Sequence, residues 1–261
     1  MYSRETYAEL IEQLTREGYR FLPFDSAPVP AGKTILLRHD IDYSPAWGAE
    51  FARLNAQLGV SGTFCVQLRS PLYNLAAAQT LGCVEEMLSL GQKVALHFTF
   101  EASPPDDPRE ISTLVARDFA LARQLVPGMS PIFSWHNPSL SPGLIERCLD
   151  LEAPGLLNLY SRALVKETRY FADSNWRYSM AEWRAIAAAG HQRMQLLFHP
   201  FQWLARGTDM KDVLAKTFAQ VMREKEVEFR SNHVFREMHP QGLSPEALRA
   251  VEAAVAAGAC D

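Results

Sequence analysis

Residues 38–42 read Arg-His-Asp-Ile-Asp, four ionisable side chains within five positions. Two carboxylates two residues apart in a cleft do not both stay ionised unless a cation lies between them or one is protonated. Asp40 and Asp42 are therefore candidates for a general base and a metal ligand. A bland alternative is a structural ion pair in which one of them caps a helix N-terminus. The balance shifts because histidines recur at the ends of later apolar runs: His97, His136 and His199 follow the pattern of His39, with Asp173 at another run's end. Asp42 and His97 offer one oxygen and one nitrogen, a pair suited to zinc and other late divalent metals. Glu101, four residues after His97, is the nearest candidate third ligand. With water in the open positions such a site is catalytic: Asp40 would take a proton and His199 would give one to a leaving group.

Chemistry of this kind needs elements that bring distant residues to one edge. Thr34 to Leu37 is a short apolar, β-branched run after the turn signal Pro30-Ala31-Gly32, and Ser44 and Pro45 suit the N-cap and first position of a helix. Six more runs read as strands: 62–67, 93–98, 131–135, 156–160, 170–172 and 194–198. Helices are expected between them at Pro45 to Leu58, near Ala76 to Leu90, Arg109 to Leu125 and Ala181 to Ala189. Alternation of strand and helix implies right-handed parallel crossovers, hence a parallel barrel or doubly wound sheet in a single domain spanning residues 1–261. At the C-terminal strand ends, where α/β folds bind ligands, the four histidines would converge. Residues 3–18 form an amphipathic helix with Tyr7, Leu10, Ile11 and Leu14 on one face, expected to cover one end of the barrel. A long helix after Thr208 is expected to bury Leu214, Phe218, Val221 and Met222. A last one from Ser244 and Pro245 is expected to bury Leu248, Val251 and Val255.

The bulk properties exclude several classes. A chain of 261 residues with net charge −4 and pI near 6.0 has no basic excess for a nucleic-acid or anionic-membrane surface. Neither a phosphate-cradling glycine loop nor a GxSxG elbow is present. Cys65, Cys83, Cys148 and Cys260 are scattered, as reduced thiols are. The opening MYSRETYAELIEQL lacks the apolar run of a signal peptide, and no stretch approaches membrane-spanning length, so a cytoplasmic location is expected.

The segments RHDID, ALHFTFEAS, SWHNPS, FADSNW and LLFHP, in that order over residues 34–203, resemble the five signature segments of the polysaccharide deacetylases of the NodB-homology type, carbohydrate esterase family 4. They look most like the divergent members associated with bacterial surface-polysaccharide (O-antigen or capsule) biosynthesis. The resemblance implies a distorted seven-stranded β/α barrel, here with extra N- and C-terminal helices. It implies metal-dependent hydrolysis of an N-acyl, usually N-acetyl, group on an amino sugar, with zinc the first choice of metal and cobalt or nickel as alternatives. Carried over by position, Asp40 is the base, Asp42 and His97 are ligands, His199 is the general acid, and Asp173 and Trp176 match the segment that supports the base and lines the pocket.

The chain departs from the family pattern at three places. Glu101 stands where a second histidine or a serine is usual, which leaves the third ligand open between Glu101 and His136. His136 replaces an arginine and is placed with the catalytic group, to orient Asp40, touch substrate or reach the metal. Tyr43 lies near a missing glycine and reshapes the mouth. Arg38, Trp135, Asn137 and Trp176 are the expected substrate contacts, with Trp203 and Arg177 as further candidates for stacking on sugar or binding an anionic group. The expected partner is an amino-sugar precursor or glycan, and a biosynthetic enzyme is a candidate companion. Two rival readings are an amidohydrolase or deformylase acting on a non-sugar amide, and a catalytically silent sugar-binding protein.

Overall fold

The computed structural model describes residues 1–25, 31–100, 103–140 and 142–242. Pro30, Glu101, Cys260 and the expected helix from Ser244 with Leu248, Val251 and Val255 lie outside the described residues. A short strand β1 (Arg20–Leu22), which no periodicity announced, pairs with β2 (Thr34–Ile41), whose eight residues are all buried. β2 belongs to a sheet with β3 (Thr63–Val66), β4 (Lys93–Phe98), β5 (Ile132–Trp135), β6 (Leu157–Asn158), β7 (Arg169–Ala172) and β8 (Arg193–Phe198). Its order is β6-β5-β4-β3-β2-β8-β7 and every pairing is parallel. The seven strands curl into a half-barrel with flanking helices, the distorted barrel expected from the sequence.

Helices follow the strands: α2 (Pro45–Gln57), α3 (Ala78–Ser89), α4 (Pro108–Leu125), α5 (Leu144–Asp150), α6 (Arg162–Glu167), α7 (Met180–Ala188) and α8 (Pro200–Leu204), after an initial α1 (Arg4–Arg16). Ser44 caps α2 by accepting from the Trp47 amide, with Pro45 in the first turn, as its sequence specified. α5, α6 and α8 are too short for a 3.6-residue period to reveal them.

Period-two alternation gives the sheet two different faces. Ile35, Leu37, Phe64, Val94, Leu96, Phe133, Leu196 and Phe198 join the main core with the helices, whereas Leu36, Cys65, Ala95 and Ile132 form a second cluster inside the curl. His39 falls on the outer face. Its Nε2 accepts from Asn55 Nδ2 at 2.9 Å, and Asn55 Oδ1 accepts from the Tyr7 hydroxyl at 2.7 Å. Tyr7 of α1 also packs on Phe51 and edge-on to Phe198. Thus α1 lies on the outer face of the sheet, not over a barrel end, and His39 does not join the other three strand-end histidines.

The chain divides into two compact units, residues 1–214 and 215–261. The second contains the C-terminal part of α9 (Met210–Phe229) and α10 (His233–Met238), with Phe229 and Phe235 stacked at 5.8 Å. Along α9 the buried positions are Val213, Thr217 and Val221, while Phe218 and Met222 are exposed. Of the expected stripe Val221 is buried and Leu214 is half-buried against Phe201, Ala205 and Val213, while Phe218 and Met222 give way to Val213 and Thr217. Among the described residues no helix is long and apolar enough to cross a membrane.

Burial pushes the His39 imidazole down to about 3, so it is neutral in the folded protein. Unfolded, it titrates near about 6.5, so the unfolded chain takes the extra proton and stability is lost as pH falls from there. By pH 4 the loss from this group is about 3 kcal/mol. In urea unfolding, His39→Gln should therefore lose about 3 kcal/mol less than the parent chain between pH 7 and pH 4; equal losses would refute a neutral buried His39.

Candidate active site

Arg38, Asp40 and Asp42 share the inner face of β2 and its C-terminal extension. Arg38 is fully buried, and its Nε and one terminal nitrogen donate to the two oxygens of Asp40 at 2.7 and 2.6 Å. Its guanidinium lies 5.0 Å from the Tyr160 ring centroid. Burial alone would raise the Asp40 carboxyl, but the Arg38 charge, helped by His97 and His199, outweighs it and holds Asp40 below its ordinary range. Asp40 is ionised without needing a shared cation.

Asp42, His97 and His136 come from β2, β4 and β5 and converge. Asp42 Oδ1 stands 3.2 Å from His97 Nε2 and 3.1 Å from His136 Nδ1, and the two nitrogens are 3.3 Å apart. Ligand atoms of a tetrahedral ion with bonds of about 2.1 Å are about 3.4 Å apart. One carboxylate oxygen and two imidazole nitrogens, grouped at nearly that spacing, fit a divalent cation. The surroundings fit as well. His97 Nδ1 meets Ser134 Oγ at 2.7 Å, which can hold the proton on Nδ1 and leave Nε2 free as a ligand. His136 Nε2 meets the Asn137 amide at 3.0 Å, and a ligating Nδ1 requires that amide to present its oxygen. Gln67 Nε2 approaches Asp42 Oδ1 at 3.4 Å while Gln67 Oε1 accepts from Thr99 at 3.2 Å. Asp42 lies well below the usual carboxylate range: burial opposes this, and the hydrogen bonds to His136 and His97 prevail.

Across the cleft, β7 leads into Asp173 and β8 into His199. Asp173 is fully buried and accepts three hydrogen bonds, from His199 Nδ1 at 2.5 Å, the His199 amide at 2.8 Å and Trp203 Nε1 at 2.8 Å. His199 Nε2 faces Asp42 Oδ2 at 3.8 Å. Burial works against the imidazolium, yet the Asp173 carboxylate and its hydrogen bond lift His199 to about 9. At neutral pH it is protonated. Asp40 on one side and His199 on the other border an open cleft of about 560 Å³.

Of the substrate contacts expected from sequence, Asn137 and Arg177 line the cleft, whereas Arg38, Trp135 and Trp203 are buried. Arg38 is the buried partner of Asp40 and offers the cleft no free charge. Trp135 has the outward parity of β5: it is 1% exposed, donates to Asn158 Oδ1 at 3.1 Å and packs on Phe98 and Phe133. Trp203 is buried, stacked on Tyr2 at 4.3 Å, with its indole N–H committed to Asp173. Trp176 is half-buried and tilted over Tyr2, in a left-handed conformation (φ 53°) that follows Asn175 (φ 56°). Asn137 is exposed at the rim, also left-handed (φ 47°), and Arg177 and Tyr43 line the cleft. Glu101 lies outside the described residues, and His136 fills the third position of the cluster. Position at a strand end does not mark Gln67 and Ser134; the signal for them is inner-face parity, two positions from Cys65 and from His136.

No family model and no curated protein matches the sequence. Among solved structures with similar folds are a family 4 acetyl xylan esterase from Clostridium thermocellum in complex with a cobalt ion (16% identity over 73% of this chain and 84% of that one, TM-score 0.41), the Streptococcus pyogenes deacetylase PplD in complex with acetate (13%, 82% and 86%, TM-score 0.45), and IcaB from Ammonifex degensii (17%, 71% and 88%, TM-score 0.44).

Loss of the Ser134 hydroxyl leaves the His97 Nδ1–H without its partner and the ring free to turn. Ser134→Ala should weaken zinc or cobalt binding by about 10–100-fold in a competition titration against a chromophoric chelator. An unchanged affinity would remove Ser134 from the support of this site.

Proposed function

We propose that the chain is a metal-dependent N-deacylase that releases an acyl group, typically acetyl, from an amino sugar, and that it is a divergent relative of the polysaccharide deacetylases whose signature segments it resembles. The substrate is a cytoplasmic precursor or glycan of surface-polysaccharide assembly. One observation carries the reading: a carboxylate and two imidazoles at metal-ligand spacing, flanked by an ionised Asp40 and a protonated His199.

Asp42, His97 and His136 hold the ion, with zinc the first choice and cobalt or nickel as alternatives. A divalent cation at this position supplies Lewis-acid polarisation of the acyl carbonyl and acidifies water. Asp40, ionised beside Arg38, accepts a proton from the attacking water. The water oxygen bonds to the acyl carbon, the C–N bond breaks, and His199 gives its proton to the departing nitrogen. The products are a free amine and a carboxylic acid. Asp173 keeps the His199 ring in register and charged, so that Nε2 carries the proton into the cleft.

Protein reconstituted with zinc or cobalt should release acetate from a panel of free and nucleotide-linked N-acetyl amino sugars and act poorly on simple N-acyl amines. The reverse preference would favour the non-sugar amidohydrolase, and metal binding without turnover on any substrate would favour a silent sugar-binding protein. Asp40→Asn should lower kcat by about 10²–10⁴-fold while metal content stays intact. Activity in that variant close to the parent's would refute Asp40 as the base.

The pH profile should report the two pairs. Asp40 must be ionised, and its lowered value means that it imposes no acidic limb above the ordinary carboxylate range. His199 must be protonated, so activity falls as pH rises through about 9. Asp173→Asn removes the charge that lifts His199 against its burial and should draw the alkaline limb to lower pH. A limb that stays near its parental pH would assign it to another group.

A further inference from the structure

The half-barrel is open on one side, because the sheet order ends at β6 and β7. Behind this seam lies an apolar cavity of about 200 Å³, lined by Leu149, Leu159, Tyr160, Val165, Tyr170 and Gln195. Tyr160 and Tyr170 line the cleft as well as the cavity, so the two spaces adjoin at these residues. Along the inner face of β8, His199, Leu197 and Gln195 lead from the reacting edge down to the seam; Leu197 lines the cleft and Gln195 lines the cavity. The mouth of the seam carries exposed apolar groups, Val165 and Tyr170 at 43% and 40%.

Gln195 is the second, independent observation. It is 2% exposed and, among the described residues, its Oε1 has no hydrogen-bond donor, while its Nε2 makes a long 3.5 Å contact with the Leu159 carbonyl. An acceptor buried in apolar surroundings without a donor is costly, and a ligand that supplies the donor removes the cost. A sugar ring is bulky and polar and stays at the mouth of the cleft, with its nitrogen at His199. The acyl group is the part of the substrate able to pass inward.

Resting on the deacylase reading, we propose that the seam is an acyl pocket, and that the group removed is a short acyl chain longer than acetyl with a hydroxyl that donates to Gln195 Oε1. Its methylene groups pass Leu197 and lie between Tyr160 and Tyr170. The reaction stays the same amide hydrolysis, with the longer hydroxylated acid as product.

The test compares N-acetyl, N-butanoyl and N-hexanoyl derivatives of one amino sugar, the longer two with and without a hydroxyl, on the metal-reconstituted full chain. The ratio of kcat/KM for the hydroxylated longer chains to that for acetyl should exceed tenfold. Val165→Trp, at a partly exposed position of α6, should collapse this ratio, and Gln195→Leu should erase the preference for the hydroxylated over the plain chain. Calorimetric titration with the free acids gives a readout that needs no turnover: hydroxylated longer acids should bind more tightly than acetate, and the difference should vanish in Val165→Trp. Hydrolysis of acetyl alone, with equal binding of short and long acids, overturns the acyl pocket and leaves the deacylase reading standing. Hydrolysis of no member of the series overturns both.

Discussion

The buried pair of Arg38 and Asp40 is the interaction on which the rest of the cleft depends. A carboxylate that is 2% exposed would be driven neutral by its surroundings, and a guanidinium that is fully buried would be as badly placed alone. Together they form two charge-assisted hydrogen bonds along one face of β2. Removing either partner would strand the other charge, at a cost of about 3–5 kcal/mol. Because Arg38 satisfies Asp40 from below, Asp40 need not compete for a cation. Asp42, one step further along the same face, is met instead by two imidazoles. Two carboxylates two residues apart thereby take different work from their neighbours, not from any difference in the groups themselves.

Strand geometry enforces this division. Alternate residues of β2, β4, β5 and β8 point into the curl, so Arg38, Asp40, Asp42, His97, Ser134, His136, Leu197 and His199 share one interior. The intervening residues, His39, Phe98, Trp135 and Phe198 among them, serve the helical layer. Parallel pairing aligns the strand ends, so that groups 157 positions apart in sequence, Asp42 and His199, come within 3.8 Å. A one-residue slip in any strand would exchange a reactive side chain for a core one.

The same parity explains what was legible in the sequence and what was not. The seven barrel strands announce themselves as apolar runs closed by glycine, proline or polar residues, and Asp42, His97, Asp173 and His199 stand at their ends. Position along a strand says how close a residue is to the edge, yet only parity says which face it takes. His39 and Trp135 stand near strand ends, yet their parity puts them on the outer face. Arg38 has the right parity but lies too deep, where its charge is consumed by Asp40. Gln67 and Ser134 have the parity and the depth; neutral polar side chains carry no chemical flag in a sequence, and their role exists only beside the imidazoles they hold. On α9 the buried row runs through Thr217, a polar residue that carries no apolar signal, and nothing local to the helix decides between it and Phe218.

The two pairs that flank the cluster of Asp42, His97 and His136 are mirror images in electrostatic terms. Asp40 has a buried cation as its fixed neighbour and is held unprotonated, whereas His199 has a buried carboxylate as its neighbour and is held protonated. Pairs whose environments push their protonation in opposite directions are what acid and base catalysis in one site requires. In both cases the neighbour sits on or directly at the end of a sheet strand, and Asp173 is locked by three donors. The cost of desolvating these charges is met when the protein folds, before any substrate arrives. Under the proposed chemistry, the empty base and the loaded acid then coexist across one cleft at neutral pH, and binding has only to place the acyl carbon between them.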